Sequence, residues 1–160
     1  MTEQMAEIAG RLLRDRGLTL ALAESCTGGL IGHRVTQVPG SSEYFLGGVI
    51  AYSNDAKAAI LGVSKSTLRE YGAVSRQTAA EMAQGARRAF RADIAVATTG
   101  IAGPSGGSRA KPVGLVYLGL AHGGGTIVRR HLFKGTRHAV KSQAANAALA
   151  MVREHLERRM

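Results

Sequence analysis

The chain has 160 residues, a length that fits one domain with a core of its own. No apolar run reaches the roughly 18 residues of a membrane span, and Glu3 and Glu7 occupy the region where a secretory leader would be basic and then apolar. The single cysteine, Cys26, excludes an internal disulfide and fits a reducing compartment. The net charge is +10, which attracts anions. We therefore expect one cytoplasmic domain over residues 1–160.

Apolar spacing predicts helices and strands that alternate along the chain. In chain order we predict a helix at 5–13, a strand at 18–22, a helix at 30–35, a loop at 38–42, a strand at 44–52, helices at 55–61, 66–71 and 75–90, strands at 93–99, 113–121 and 126–133, and a helix from 136 onward. Gly123-Gly-Gly125 predicts a hairpin between the last two strands. The fold class is therefore α/β, a single-domain three-layer α/β/α sandwich with a mixed, largely parallel sheet.

The most informative segment is residues 23–29, Ala-Glu-Ser-Cys-Thr-Gly-Gly, between the first strand and the second helix. It places Ser25 at a strand-to-helix turn, where nucleophiles and phosphate sites are built. The amides near Thr27, Gly28 and Gly29 have no partner inside the helix, so they can point at an anion or a developing oxyanion. The alternative is that Ser25 or Thr27 is an ordinary N-cap.

A second glycine-rich segment, Gly100-Ile-Ala-Gly-Pro-Ser-Gly-Gly107, follows the strand that ends at Thr99. Ligands of open α/β sheets bind outside the carboxyl ends of strands, so the two segments predict a shared pocket. The spacing matches neither a Walker loop nor a dinucleotide fingerprint, and we predict neither an ATPase nor a dehydrogenase. The segment is either a nest of amides that binds an anion or a flexible surface loop.

Three segments resemble the CinA C-terminal family, which includes nicotinamide-mononucleotide amidases: residues 23–29, Tyr52-Ser-Asn54 with Lys57, and Thr99–Pro104 with Gly106-Gly107. Shorter matches follow in order at 40–42, 72–75, 111–114 and 135–137. The resemblance implies hydrolysis of nicotinamide mononucleotide to nicotinic acid mononucleotide and ammonia, in pyridine nucleotide salvage. The resemblance and the apolar, Ala-rich helix faces also favour a homodimer. The expected reaction needs no metal, and we expect no cofactor.

The resemblance assigns the nucleophile to Ser25 and further catalytic roles to Tyr52 and Lys57. General chemistry agrees, since a serine needs a base and no histidine stands in a recognisable triad context, which leaves a lysine or a tyrosinate. Lysine must be neutral for this, and burial or a nearby cation can lower its pKa. Without the resemblance, Lys57 would be read as a solvated helix lysine.

Substrate contacts are expected from four parts of the chain. They are Thr27, Gly28 and Gly29 in the first turn, Ser42, the residues Thr99, Gly100, Ala102, Gly103, Gly106 and Gly107 of the second loop, and Arg137. Arg137 suits the nucleotide phosphate because a guanidinium binds phosphate in a bidentate manner; otherwise it is an exposed arginine at a helix start. Lys141, where the family is expected to prefer arginine, and Arg109 receive no role.

Other functions stay open at this point. Cys26 competes with Ser25, because a helix N-terminus lowers the pKa of a thiol. The five histidines lack the spacing of a metal site. The chain could also be a non-catalytic nucleotide-binding module, or a basic protein that binds nucleic acid through residues 129–160. Against nucleic acid stand an aromatic content of 4%, the absence of Trp and the lack of a recognisable module.

Overall fold

The computed structural model describes residues 2–158, so Met1, Arg159 and Met160 of the predicted domain lie outside the described residues. Its helices and strands are α1 Thr2–Arg16, β1 Leu20–Glu24, α2 Leu30–Thr36, β2 Phe45–Ile50, α3 Asn54–Leu61, α4 Lys65–Tyr71, α5 Arg76–Phe90, β3 Ile94–Gly100, β4 Leu115–His122, β5 Gly125–Leu132 and α6 Arg137–Arg158. The predicted elements are confirmed in type and order. A 3-10 turn at Ser41–Glu43 overlaps the end of the predicted loop at 38–42.

The sheet has the strand order β2-β1-β3-β4-β5. β1 lies between β2 and β3 and is parallel to both. β4 is antiparallel to β3 and to β5, and the β4–β5 hairpin turns through Gly123 and Gly124. The predicted mixed sheet is confirmed, with three parallel strands followed by an antiparallel hairpin. The carboxyl ends of β1, β2 and β3 therefore meet at one edge of the sheet.

Helices cover both faces of this sheet. On β1, Leu20 and Leu22 point into a core shared with α1, α2 and α6, whereas Ala21 and Ala23 point into a second core shared with α3 and α5. This alternation is the period of a strand buried on both sides. It confirms the predicted three layers.

The α5 side of the sheet is built from small residues. A Cβ on Gly119 of β4 would lie 2.5 Å from the carbonyl oxygen of Ala79 in α5, and a Cβ on Gly85 of α5 would overlap the carbonyl oxygen of Leu61 at the end of α3. Glycine at these positions lets the backbones approach closely. As a result α5 packs tightly on the sheet and fixes α3, the helix that carries Lys57.

Within residues 2–158, no helix combines the length and the apolar character needed to span a bilayer.

Candidate active site

Ser25 and Lys57 meet at the carboxyl edge of the parallel strands. Ser25 follows β1 directly, and Lys57 lies in the first half of α3, whose N-cap is Ser53. Lys57 Nζ donates to Ser25 Oγ over 3.0 Å and to the carbonyl oxygen of Tyr52 over 2.8 Å. The residues are buried, with 7% of Ser25 and 1% of Lys57 exposed. The structure thus forms a buried Ser-Lys pair from residues 32 positions apart.

The environment of Lys57 favours its uncharged form. Burial lowers the pKa of Lys57, and the interaction with the Cys26 side chain opposes this to a smaller extent. In the described part of the chain, no carboxylate forms an ion pair with this ammonium group. A neutral amine 3.0 Å from a hydroxyl oxygen can accept its proton.

Cys26 lies in the same turn but is poorly suited to act as the nucleophile. It is 6% exposed, and burial is the main reason that its pKa is raised to about 11. Hydrogen bonds from its own backbone amide and from the Thr98 hydroxyl act in the opposite direction without offsetting burial. The lowered thiol pKa considered for a helix N-terminus is therefore not found, and the thiol stays protonated at neutral pH.

The amides of the first glycine turn are largely used inside the protein. The Gly28 amide donates to the carbonyl oxygen of Ser25 over 3.1 Å, and the Gly29 amide donates to Glu24 Oε1 over 3.2 Å. The expected role of these two amides toward a substrate anion or oxyanion is therefore not met in this conformation, because the Gly28 amide is used by the turn itself and the anion that the Gly29 amide contacts is the Glu24 carboxylate. Among the three turn amides, only that of Thr27 has no acceptor within residues 2–158.

Glu24 is the residue of this turn that sequence reasoning missed. Its carboxylate is buried, and it accepts hydrogen bonds from the Thr27 hydroxyl and from amides of the first turn of α2. The hydroxyl of Thr27 also lies 2.8 Å from that of Thr98 on β3. The only signal in the sequence is an acidic residue at the end of an otherwise apolar strand. Glu24 is too far from α2 for the known capping patterns, because the helix begins six residues later, at Leu30.

Tyr52 and Arg137 join the site on its solvent side. Tyr52 is 61% exposed, and its hydroxyl accepts a hydrogen bond of 3.2 Å from Arg137. Arg137 also donates to the carbonyl oxygen of Gly103 over 2.7 Å. Tyr52 reaches Lys57 through its backbone carbonyl, whereas its phenol points to Arg137. Arg137 thus links α6, the segment before α3 and the second glycine-rich loop.

The start of the second loop has structural partners. The Thr99 hydroxyl donates to the carbonyl oxygen of Ala73 over 2.7 Å, and Ala102 is buried in the core. A Cβ on Gly100 would lie 2.7 Å from the carbonyl oxygen of Leu115, so glycine is required there by the approach of β4. The expected substrate contacts of Thr99, Gly100 and Ala102 have no support in the geometry.

The remaining glycines of the loop are explained by its shape. Gly103 and Gly106 have φ of +84° and +91°, values that side chains disfavour. A Cβ on Gly107 would lie 2.7 Å from the amide nitrogen of Val113. Among these three glycines, Gly103 alone has a hydrogen bond to another predicted site residue within residues 2–158, accepting from Arg137.

Lys141 lies at the site although the sequence analysis gave it no role. Its Nζ is 3.8 Å from the position that a Cβ on Gly28 would take. Because Lys141 follows Arg137 by four residues in α6, both cations lie on one face of that helix. Lys141 reaches the first glycine turn, and Arg137 reaches the second loop. Arg109 is exposed in the loop and remains without a role.

Ser42 does not join the site within one chain. It lies in the turn before β2, and the amide of Leu20 at the start of β1 donates to the carbonyl oxygen of Tyr44 beside it. Ser25 follows the other end of β1. Ser42 is therefore separated from Ser25 by the length of a strand, because β1 and β2 run in the same direction.

The profile of the CinA C-terminal domain matches residues 2–156. The chain belongs to the CinA C-terminal domain family. It is 53% identical over 150 residues to a putative competence-damage inducible protein of Moorella thermoacetica. The aligned region covers 94% of this chain and 36% of that relative. The chain is 49% identical over 157 residues to a CinA-like protein of Thermotoga neapolitana, covering 98% and 38% respectively. The chain thus spans little more than a third of the length of these curated relatives.

Solved structures of CinA-type proteins have the same fold over nearly their whole length. A CinA superfamily protein of Klebsiella pneumoniae is 34% identical, with a TM-score of 0.95 and 99% of both chains covered. A competence/damage inducible protein of Agrobacterium tumefaciens is 43% identical, with a TM-score of 0.91, covering 98% of this chain and 95% of that one. The names of these CinA proteins refer to competence and damage and state no substrate.

Proposed function

We propose that this CinA-family domain is an amidase that hydrolyses the carboxamide of nicotinamide mononucleotide to nicotinic acid mononucleotide and ammonia. The observation that carries the proposal is the buried contact of 3.0 Å between Lys57 Nζ and Ser25 Oγ. The resemblance of the sequence motifs to the amidases of the family supports the choice of substrate.

The reaction follows serine amidase chemistry. Neutral Lys57 takes the proton of Ser25 while Oγ attacks the carboxamide carbon, and the oxyanion is stabilised by the amide of Thr27. Lys57 then gives that proton to the departing nitrogen, the C–N bond breaks and ammonia leaves an acyl ester on Ser25. Water, deprotonated by Lys57, hydrolyses this ester and restores the serine. The balance is one amide and one water to one carboxylic acid and one ammonia.

The nucleotide phosphate binds to α6 in this proposal. Arg137 and Lys141 supply two cations at the rim of the site, near Gly103 and Gly28 respectively. The N-terminus of α2 is not available to an anion, because the Glu24 carboxylate already accepts its amides. The exposed ring of Tyr52 provides an apolar face beside Arg137. We keep the homodimer and the cytoplasmic location as part of the proposal.

The test is ammonia release from nicotinamide mononucleotide by the purified chain. We expect turnover by the wild type, a loss of at least about a thousandfold in Ser25→Ala, and a comparable loss in Lys57→Met. Cys26→Ala is the matched control and should retain turnover, because its buried thiol is protonated. Loss of activity in Cys26→Ala with retention in Ser25→Ala would transfer the nucleophile to the thiol.

The same experiment separates catalysis from simple binding. If the wild type binds nicotinamide mononucleotide in calorimetry but releases no ammonia, the domain is a non-catalytic nucleotide-binding module. If it neither binds nor hydrolyses the nucleotide, the assignment of the substrate is wrong.

A further inference from the structure

We infer that Glu24 is a positioning residue, whose carboxylate fixes the turn that carries Ser25 and so holds Ser25 Oγ on Lys57. The inference rests on the proposed function in one respect, namely that Ser25 is the nucleophile. Glu24 itself contacts neither Ser25 Oγ nor Lys57 Nζ in any hydrogen bond among residues 2–158.

The Glu24 carboxylate collects four hydrogen bonds from the segment that follows Ser25. Oε1 accepts from the Thr27 hydroxyl over 2.7 Å and from the amides of Gly29 and Ile31 over 3.2 and 3.0 Å. Oε2 accepts from the amide of Gly32 over 3.0 Å. The group is 3% exposed, so water cannot replace it as the acceptor. One carboxylate thus fixes the course of the chain from Thr27 to Gly32.

The main chain before this turn is fixed by the two neighbouring strands. The amide of Ala51 after β2 donates to the carbonyl oxygen of Glu24 over 2.9 Å, and the amide of Ser25 donates to the carbonyl oxygen of Thr98 over 3.1 Å. Ser25 therefore lies between a segment fixed by the sheet and a segment fixed by the Glu24 side chain. Loosening the second segment leaves Ser25 attached on one side only.

In the described part of the chain, α2 has no side-chain cap at its N-cap position that could replace Glu24. The N-cap of α2 is Gly29, which has a φ of +104° and offers no side chain to accept the first amides. A carboxylate is the suitable group because it has acceptor sites on both oxygens and carries the charge that a helix N-terminus favours. Glutamine keeps the shape, but its NH2 group would face an amide donor at one of the two oxygen positions.

The experiment measures the reactivity of Ser25 directly. Wild type, Glu24→Gln and Glu24→Ala are treated with a fluorophosphonate probe across a pH series, and the rate of covalent labelling at Ser25 is followed by intact-protein mass spectrometry with peptide mapping. Steady-state kinetics with nicotinamide mononucleotide and thermal melting are recorded on the same samples.

Glu81→Gln is the matched control. Glu81 is also a glutamate whose two oxygens fix a turn, accepting from the amide of Ser64 over 2.9 Å and from the hydroxyl of Thr67 over 2.6 Å. It acts at the start of α4, away from Ser25. Its substitution tests the general effect of losing one such carboxylate.

We expect Glu24→Gln to melt above the assay temperature and to label Ser25 about ten- to a hundredfold more slowly at the high-pH plateau. The pH midpoint, which reports the protonation of Lys57, should stay unchanged, and kcat should fall with little change in KM. Glu81→Gln should label at the wild-type rate. The wild type could be labelled at Ser25 and yet not hydrolyse the nucleotide. In that case, slow labelling of Glu24→Gln would support the inference while refuting the proposed function.

Three outcomes would overturn the inference. Labelling of folded Glu24→Gln at the wild-type rate would give Glu24 a purely structural role. A shifted midpoint with an unchanged plateau would mean that its charge tunes Lys57 instead of placing Ser25. Absence of labelling at Ser25 in the wild type would leave no reactive serine to position. If Glu24→Ala does not fold, Glu24→Gln alone decides the question.

Discussion

At the scale of single residues, the charge of Lys57 is set by what surrounds it. Its ammonium group is almost wholly withdrawn from water and its two hydrogen-bond acceptors are a hydroxyl and a carbonyl, neither of which carries a negative charge. Burial therefore lowers its pKa below the ordinary value of 10.5. The same burial that favours the uncharged amine of Lys57 also makes its protonated form costly for the fold.

We predict that this cost appears as a pH dependence of stability. Because the pKa of Lys57 is lower in the folded chain than in the unfolded one, the unfolded chain binds more protons between the two values. The penalty is fully present below the folded pKa and disappears as the pH rises to about 10.5. Wild type should therefore gain stability relative to Lys57→Met as the pH rises through this window, as measured by urea unfolding at several pH values.

Lys65→Met is the control for this measurement, because Lys65 is an exposed lysine. Its difference in free energy of unfolding from wild type should stay the same across the pH series. A difference between wild type and Lys57→Met that does not change with pH would contradict the lowered pKa. In parallel, kcat/KM for nicotinamide mononucleotide should rise with pH, and the midpoint of this rise should lie below 10.5.

The sequence could predict the pair at the centre of the site but not its support. The resemblance of residues 23–29 and 52–57 to the CinA family assigned Ser25 and Lys57 to one site, and the two are in contact. The support by Glu24 depends on where a side chain points after the strand ends, which no spacing rule encodes. Within one chain Ser42 lies at the other end of β1 from Ser25, because a matching motif does not say which end of a strand it occupies.

At the scale of secondary structure, the site depends on how closely α3 and α5 pack. Period and turn residues predicted both helices, since apolar spacing is a local property. The close approach of Gly85 to the carbonyl oxygen of Leu61 was not predictable, because it joins segments that are far apart in the sequence. Glycine in the interior of a helix lowers its intrinsic stability, so a tertiary reason for Gly85 is expected.

We predict that Gly85→Ala destabilises the protein by about 1 to 3 kcal/mol, because the added methyl group meets backbone that cannot rotate away. It should also slow covalent labelling of Ser25, since α3 carries Lys57 and must shift to make room. The measurements are urea unfolding and the labelling rate of the folded variant.

Gly32→Ala provides the control for helix propensity. A Cβ at Gly32 would make ordinary contacts, the nearest at 3.5 Å from Glu24 Oε2. Its free energy of unfolding should therefore stay the same or rise by up to about 1 kcal/mol. Equal stability of Gly85→Ala and Gly32→Ala would refute the argument from close packing.

At the scale of the whole molecule, positive charge is in excess. The net charge is +10, and within the described residues the ion pairs to carboxylates involve Arg14, Arg129 and Arg153. Arg137 and Lys141 are placed at the candidate site, while Arg109 and Arg130 are exposed elsewhere. The excess therefore attracts anions, and it also makes the folded chain repel itself.

We predict that salt stabilises this protein. The screening length falls from about 30 Å at 0.01 M salt to about 8 Å at 0.15 M, which removes repulsion between distant cations more than it weakens the few ion pairs. The midpoint of thermal unfolding should therefore rise as sodium chloride is added. The double variant Arg109→Gln/Arg130→Gln, which removes two exposed positive charges, should show a smaller rise, whereas Arg109→Lys/Arg130→Lys should behave like wild type. A midpoint that falls with salt would show that ion pairs outweigh repulsion in the fold.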